Sequence, residues 1–308
     1  MSKKKLISKI KDVERIASTS KVKRMLMHPF KYFNAILFRE LVYKKTKREK
    51  EVVCNTFFNS KMHILLPAST DIYLTGGKSH SSEIRLAKFL LNYLNNNDIF
   101  IDVGAHYGYF SLLASKLVGN LGKVLAFEAS PTTHKILQKN ESNFENIIVY
   151  NLAVSDENKH LTFYEFPNLY SEYNTLDIDQ FKNEDWFLEY KPKEVSIKSV
   201  LLDDFLVEEQ INPKVIKIDV EGAEFKVING LRKYLINNSP LIVMEYLSND
   251  RGNEEHVKAE KLLKSLGFQS FLINNYGESQ ETESITRYLD VNNLESDNIL
   301  FMKRNNAS

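Results

Sequence analysis

A chain of 308 residues with 43% hydrophobic and 26% charged content can bury a large core, which excludes a disordered or fibrous protein. No apolar run reaches the ~18–20 residues of a membrane span, Cys54 is the only cysteine, and the Lys-rich N-terminus lacks a signal peptide's apolar core, which together point to a reducing cytoplasm without disulfides or thiolate metal clusters. The net charge of +1 hides an asymmetry: residues 1–50 hold sixteen Lys/Arg and four Asp/Glu, so a basic head precedes an acidic remainder.

Residues 1–55 are expected to form a basic helical extension. Leu6, Ile10, Val13 and Ile16 recur at three- and four-residue steps, Pro29 interrupts, and Phe33, Ile36, Leu37 and Leu41 resume the pattern before the basic run 44–50. Packing on its own domain or on a twin subunit is one reading of this head. Peripheral contact with an anionic membrane face is the other. Nucleic acid is disfavoured, because nothing resembles a recognition module.

A larger domain is expected over 56–308. Met62–Leu66 and Asp71–Leu74 read as short strands, the second ended by Gly76-Gly77. Ser82–Leu94 is an amphipathic helix with Ile84, Ala87, Leu90 and Leu91 on its apolar face, and Glu83 sits in its first turn, where the helix dipole favours a carboxylate. The apolar, partly β-branched run Ile99–Val103 then reads as a buried parallel strand. Gly104 and Gly108 bracket a tight turn, and Leu112, Leu113 and Leu117 follow at helical spacing. A strand, glycine turn and helix in this order present backbone N–H groups to a nucleotide-like ligand, and a missing side chain at Gly104 lets that ligand approach closely.

Asp102 lies within the last two residues of that strand. A second strand, Lys123–Phe127, ends in Glu128, placed to accept hydrogen bonds from a ribose diol. A third, Ile147–Tyr150, is followed by Asn151 and Ala153. The glycine spacing is G-x-x-x-G rather than G-x-G-x-x-G, which disfavours an NAD-dependent dehydrogenase, and no phosphate-binding Lys-Ser/Thr follows. The ligand expected is a nucleoside without a pyrophosphate, with S-adenosylmethionine foremost.

Farther on, strands His160–Phe166 and Val195–Val200 flank an insertion over about 164–194 that carries eight aromatics, suited to contact with a sugar or polyketide-like substrate. Asp203 and Asp204 read as the cap of a short helix. Val215–Val220 is a fourth core strand in which Lys217 and Asp219 share a face, either as a buried ion pair or with Asp219 at the ligand edge. Glu221 to Glu224 turn into a helix. Leu241–Glu245, Ser270–Ile273 and Asn298–Met302 complete the strands, the last expected antiparallel, and the loop 278–297 reads as solvated. Alternating strands and helices argue for a doubly wound α/β sheet.

The segments IDVGAHYGYFS, AFEASP (126–131), NLAVS (151–155) and IKIDVEGAE (216–224) together resemble the FkbM family of S-adenosylmethionine-dependent methyltransferases, over about 83–301. His106 departs from the Asn common there. The resemblance implies a class I, Rossmann-like, mostly parallel seven-stranded sheet. It also implies a cofactor site drawn from Glu83, Asp102, Gly104, Ala105, His106, Gly108, Tyr109, Glu128, Ala129, Ser130, Asn151, Ala153 and Asp219. Methyl transfer to an alcohol needs alignment and a base, for which Asp219, Glu221, Glu245 and His106 are the candidates. Asp219 and Glu245 could instead hold Mg²⁺. The activity expected is O-methylation of a hydroxyl on a sugar, glycan or secondary metabolite. The alternative is a non-catalytic scaffold of the same fold that docks on a membrane or partner through its basic head.

Overall fold

The computed structural model describes residues 2–303. A hairpin of β1 (Lys50–Asn55) and β2 (Lys61–Leu66) precedes the core strands β3 (Ile99–Val103), β4 (Lys123–Phe127) and β5 (Ile147–Tyr150). Next come β6 (Ala153–Val154), β7 (His160–Glu165) and β8 (Lys193–Val200), which make a small separate sheet in the order β6-β8-β7. The chain returns to the core with β9 (Val215–Ile218), β10 (Leu241–Leu247), β11 (Phe268–Ile273), β12 (Ser279–Glu281) and β13 (Ser296–Lys303). The main sheet runs β12-β11-β13-β10-β9-β3-β4-β5.

Strands β5, β4, β3, β9 and β10 are mutually parallel, and β13 is antiparallel to both β10 and β11. This is the class I methyltransferase arrangement, and the expected antiparallel final strand is in place. To the expected seven strands the structure adds an eighth, β12, on the β11 edge. Every residue of β9 is buried, as an apolar strand covered on both faces requires. From β3 the chain progresses outward through β4 to β5, then returns to β9 and progresses the other way. The sheet therefore has its topological switch point between β3 and β9, where a ligand crevice opens at the strands' carboxyl ends.

Three local expectations are corrected. Residues 71–74 form no strand but part of the helix Thr70–Thr75, closed by Gly76 at φ +76°. Four residues are too few to separate period two from period 3.6. The loop 278–297, expected to be solvated, holds β12 and the helix Ile285–Asn292, which buries Ile285 and Leu289 and is capped by Ser284. Asp203 does not cap its own helix: its carboxylate accepts the N–H groups of Lys233 and Tyr234, at the start of the helix Arg232–Asn237.

The first helix, Lys3–Ala17, buries Leu6, Ile10 and Val13 in the same core cluster as the helix Ser81–Tyr93. An ion pair between Lys88 and Glu14 at 2.7 Å fastens the two. The interruption expected at Pro29 is present, between the helices Lys21–Met27 and Pro29–Leu37. Pro29 occupies the first turn of the second, where its missing N–H costs nothing, and a π-helical turn Phe38–Tyr43 continues that helix. Strand β1, unforeseen in a lysine- and glutamate-rich run, pairs with β2 from Lys50↔Leu66 to Asn55↔Lys61, so the last residues of the basic segment belong to a hairpin.

Candidate active site

A cavity of about 890 Å³ lies at the switch point. Its apolar wall includes Val103, Phe110, Phe127, Leu152, Val154 and Phe163, and its polar wall includes Lys78, Glu83, Glu128, Glu172, Asp219, Glu221 and Glu245.

The glycine turn carries a constraint that its sequence reading lacked. Gly104 has φ +76°, and a Cβ there would lie 1.8 Å from the Asp219 carbonyl oxygen. The missing side chain makes room for the neighbouring chain at the end of β9, and Gly104 also lines the cavity. Gly108, at φ +86°, is the N-cap of the helix Tyr109–Val118. Glu128 is 6% exposed, and its two oxygens accept the backbone N–H of His106 at 2.8 Å and of Ser130 at 2.9 Å. Burial pushes its carboxyl up to about 7.

Lys217 resolves the puzzle of a charge inside a core strand. Its Nζ lies 3.2 Å from Asp102 and 3.2 Å from Asp219, and it donates to the Gly104 carbonyl at 3.1 Å. Burial alone would lower the Lys217 pKa, but Asp102 and Asp219 outweigh it and the group stays charged. The ion pair is real, and Asp219, with its side chain 31% exposed, lines the cavity as well.

The loop after β9 is clamped from two sides. Glu224, fully buried, accepts the N–H groups of Val220 at 3.3 Å and Gly222 at 3.1 Å, with His256 Nε2 3.3 Å behind it. From the insertion, Thr175 Oγ1 and Gln180 Nε2 each donate to the Glu221 carbonyl at 2.7 Å. These contacts hold Glu221 at φ +50°, a conformation unfavourable for a residue with a side chain. The result is a group of three carboxylates, Asp219, Glu221 and Glu245, each offering an oxygen within 4.8 Å of the others.

Such crowding separates their protonation. Burial and then the Glu245 charge push Glu221 well up, and burial and then the Asp219 charge push Glu245 up to about 8. Asp219 goes the other way: burial opposes ionisation, but Lys217 and Lys78 outweigh it and hold the carboxyl below its ordinary value.

Two pocket residues carried no sequence signal. Lys78 bridges Glu83 at 2.5 Å and Glu172 at 3.2 Å. Burial raises Glu83 to about 7 despite that lysine, whereas Lys78 holds Glu172 low. His106 places Nε2 3.1 Å from Ser171 Oγ, and burial pushes its pKa down to about 4, so the ring is neutral near pH 7.

Of the expected cofactor residues, Glu83, Gly104, His106, Glu128, Ala129, Ala153 and Asp219 line the cavity. The others do not, and each has another task. Asp102 is fully buried, accepting the Ser111 hydroxyl at 2.6 Å beside Lys217. Asn151 donates to the carbonyls of Glu128 and Ala129 at 2.9 and 3.0 Å. Ser130 caps the helix Pro131–Glu141 and donates to Glu165. Ala105 donates its N–H to Phe127 at 3.0 Å, Gly108 caps its helix, and Tyr109 is packed against Phe58 and Phe110. The aromatics of the insertion stack mainly on one another, Trp186 lying 4.0 Å from Tyr170 at 11°, and only Tyr173 of the eight lines the cavity.

The family model of the methyltransferase FkbM domain matches residues 102–270. The chain belongs to this family. FkbM methyltransferases depend on S-adenosylmethionine, and this chain is one of them. A curated relative, Methyltransferase 1 of Beauveria bassiana (strain ARSEF 2860), is 31% identical over 190 residues, covering 56% of this chain and 73% of that protein. Among solved structures, methyltransferase FkbM from Methylobacillus flagellatus KT matches at 13% identity and TM-score 0.42, covering 76% of this chain and 52% of that one. An S-adenosylmethionine-dependent O-methyltransferase from Thermotoga maritima matches at 12% identity and TM-score 0.40, covering 83% and 79%.

The FkbM cavity suits the cofactor's chemistry. A carboxylate offers about four acceptor positions. Glu128 uses two on backbone N–H groups, which leaves acceptors for a diol beside the apolar wall. The three carboxylates on the same wall, Asp219 foremost because it stays ionised, suit a cationic ligand.

Those buried acids also set the FkbM chain's response to pH. Glu83 and Glu128, raised to about 7, and Glu245, raised to about 8, bind protons more tightly folded than unfolded. The stability they contribute is present in acid and lost as pH rises through those values. His106 and His134, whose pKa values burial lowers, act oppositely, but only below their ordinary value of about 6.5. Calorimetry of the ligand-free protein in chelator should therefore show the unfolding midpoint falling from about pH 6.5 to 8.5, a loss on the order of 3–4 kcal/mol. A midpoint that rises across this window would contradict the assignment.

Proposed function

We propose that this methyltransferase transfers the methyl group of S-adenosylmethionine to a hydroxyl of a sugar, glycan or hydroxylated metabolite. The observation that carries the reading is the acidic half of the cavity: Asp219, Glu221 and Glu245 within 4.8 Å of one another, with Glu83 and Glu172 also on the wall. Such a surface repels a carboxylate acceptor and offers hydrogen-bond acceptors to the donors of a polyol. When bound, the cofactor supplies an electrophilic methyl group: the acceptor oxygen forms the new C–O bond as the C–S bond breaks, and S-adenosylhomocysteine leaves. The chain's own work is to seat Glu128 against the ribose, align the hydroxyl, and take its proton on Glu245.

Two measurements test this. Glu128→Ala should weaken S-adenosylhomocysteine binding by ~1–3 kcal/mol in titration calorimetry, the cost of losing a charged hydrogen-bond acceptor. Unchanged affinity would remove Glu128 from the cofactor site. With methyl-labelled cofactor and a panel of glycosides and hydroxylated metabolites, label should survive mild alkali as an ether. Label released as methanol would mean a carboxyl acceptor and end the hydroxyl reading.

The same three carboxylates favour one second reading, a divalent cation that acidifies the acceptor hydroxyl, since hard oxygen donors suit Mg²⁺. Activity abolished by chelator and restored by Mg²⁺ would support it.

A further inference from the structure

We propose that the outward face of residues 22–45 docks on an anionic lipid bilayer. The basic extension divides into two unlike parts. Its first helix spends its apolar side on the core, where Leu6, Ile10 and Val13 are at most 2% exposed. The next helices do not. From Pro29 the chain runs as one helical stretch into the π-turn, and its inner side carries the buried Ala35 and Tyr43, with the Tyr43 hydroxyl accepting the Leu169 N–H at 3.0 Å. The opposite side carries Phe30, Phe33, Leu37 and Leu41, at steps of three and four residues, with exposures of 91, 56, 49 and 58%. The helix Lys21–Met27 adds Leu26 at 71%. A contiguous set of large apolar side chains left in water marks an interaction site.

Charge selects the occupant. Residues 21–50 hold ten Lys/Arg against two Asp/Glu, and Lys23, Lys31, Arg39, Lys44, Lys45 and Arg48 are exposed among or beside the apolar side chains. A second copy of this chain seated face to face would oppose one cationic surface to another. An anionic bilayer satisfies both features at once: headgroups meet the lysines and arginines, and the phenylalanines and leucines enter the acyl boundary. No helix among the described residues is long and apolar enough to cross a membrane, so the contact is peripheral. Arg39, on the same π-turn, also lines the cavity. Docking therefore sets the cavity mouth beside the lipid surface, within reach of an acceptor held there.

The test is flotation of the full chain with phosphatidylcholine vesicles, with and without phosphatidylglycerol. Wild type should partition at least about tenfold more strongly onto the anionic vesicles, and less as salt rises. Phe30→Glu/Leu41→Glu should lose at least about tenfold of that binding. These side chains lie outside the core, so the variant should keep its melting temperature and its affinity for S-adenosylhomocysteine. Wild type that stays off anionic vesicles overturns the proposal, as does a variant that floats like wild type. So does a dimer, seen by sedimentation velocity, that the double substitution dissolves, because a second copy would then cover the face. Flotation needs no cofactor, so its failure leaves the methyl-transfer reading untouched.

Discussion

Lys217→Met should destabilise the protein by ~3–5 kcal/mol, the range for removing one partner of a buried ion pair. Methionine fills much of the space, so packing is largely kept and the effect is electrostatic. What remains is Asp102, fully buried, with only the Ser111 hydroxyl to stabilise its charge. Asp219 loses the same counterion, and the Gly104 carbonyl loses its donor. The turn at Gly104 is already crowded, because the Asp219 carbonyl occupies the place of the missing side chain. Denaturant unfolding measures the loss, and the melting temperature should fall by roughly 10 °C. The double variant Lys217→Met/Asp102→Asn should recover much of it, since an amide carries no uncompensated charge. A single-variant loss below about 1 kcal/mol, as for an exposed pair, would show that water reaches the site and that the pair is incidental.

The legible parts of the fold were those in which period and chemistry agree. The run from Ile99 through Leu117 combines an apolar strand, two glycines and a helical repeat, and it appears as β3, a turn and the helix Tyr109–Val118. The acids at strand ends, Glu128, Asp219 and Glu245, were legible because the carboxyl edge of a parallel sheet is where ligands sit, and all three line the cavity.

What was hidden depends on contacts distant in sequence. Nothing around Lys78 marks it, yet it joins Glu83 to Glu172, 94 residues away along the chain. Asp102 has a local setting no different from that of a ligand-binding acid; only the arrival of Lys217 from β9 withdraws it from the cavity. The insertion's aromatics satisfy one another around Trp186, and composition cannot tell such stacking from a sugar platform.

Glu245→Gln should lower kcat by ~10²–10⁴-fold, the usual contribution of a positioned base, with S-adenosylhomocysteine affinity unchanged. The four candidate bases differ in a way that selects Glu245. A base works best when its pKa lies near the working pH. Asp219 is held ionised by Lys217 and Lys78, which leaves it a weak proton acceptor, and His106, near 4, is a far weaker base than an ordinary imidazole. Glu221 is pushed well up by burial and then by the Glu245 charge, so it shares its proton with that partner. Glu245, at about 8, releases and accepts one in the working range. The wild-type rate should accordingly rise with pH and level off above about 8, and Glu245→Gln should flatten that limb. Asp219→Asn gives the sign test: its charge is part of what raises Glu245, so removing it should move the limb to lower pH. If a divalent cation occupied the three carboxylates, it would hold them ionised throughout; the limb would be absent and chelator would abolish turnover. A limb that survives in Glu245→Gln would place the base elsewhere.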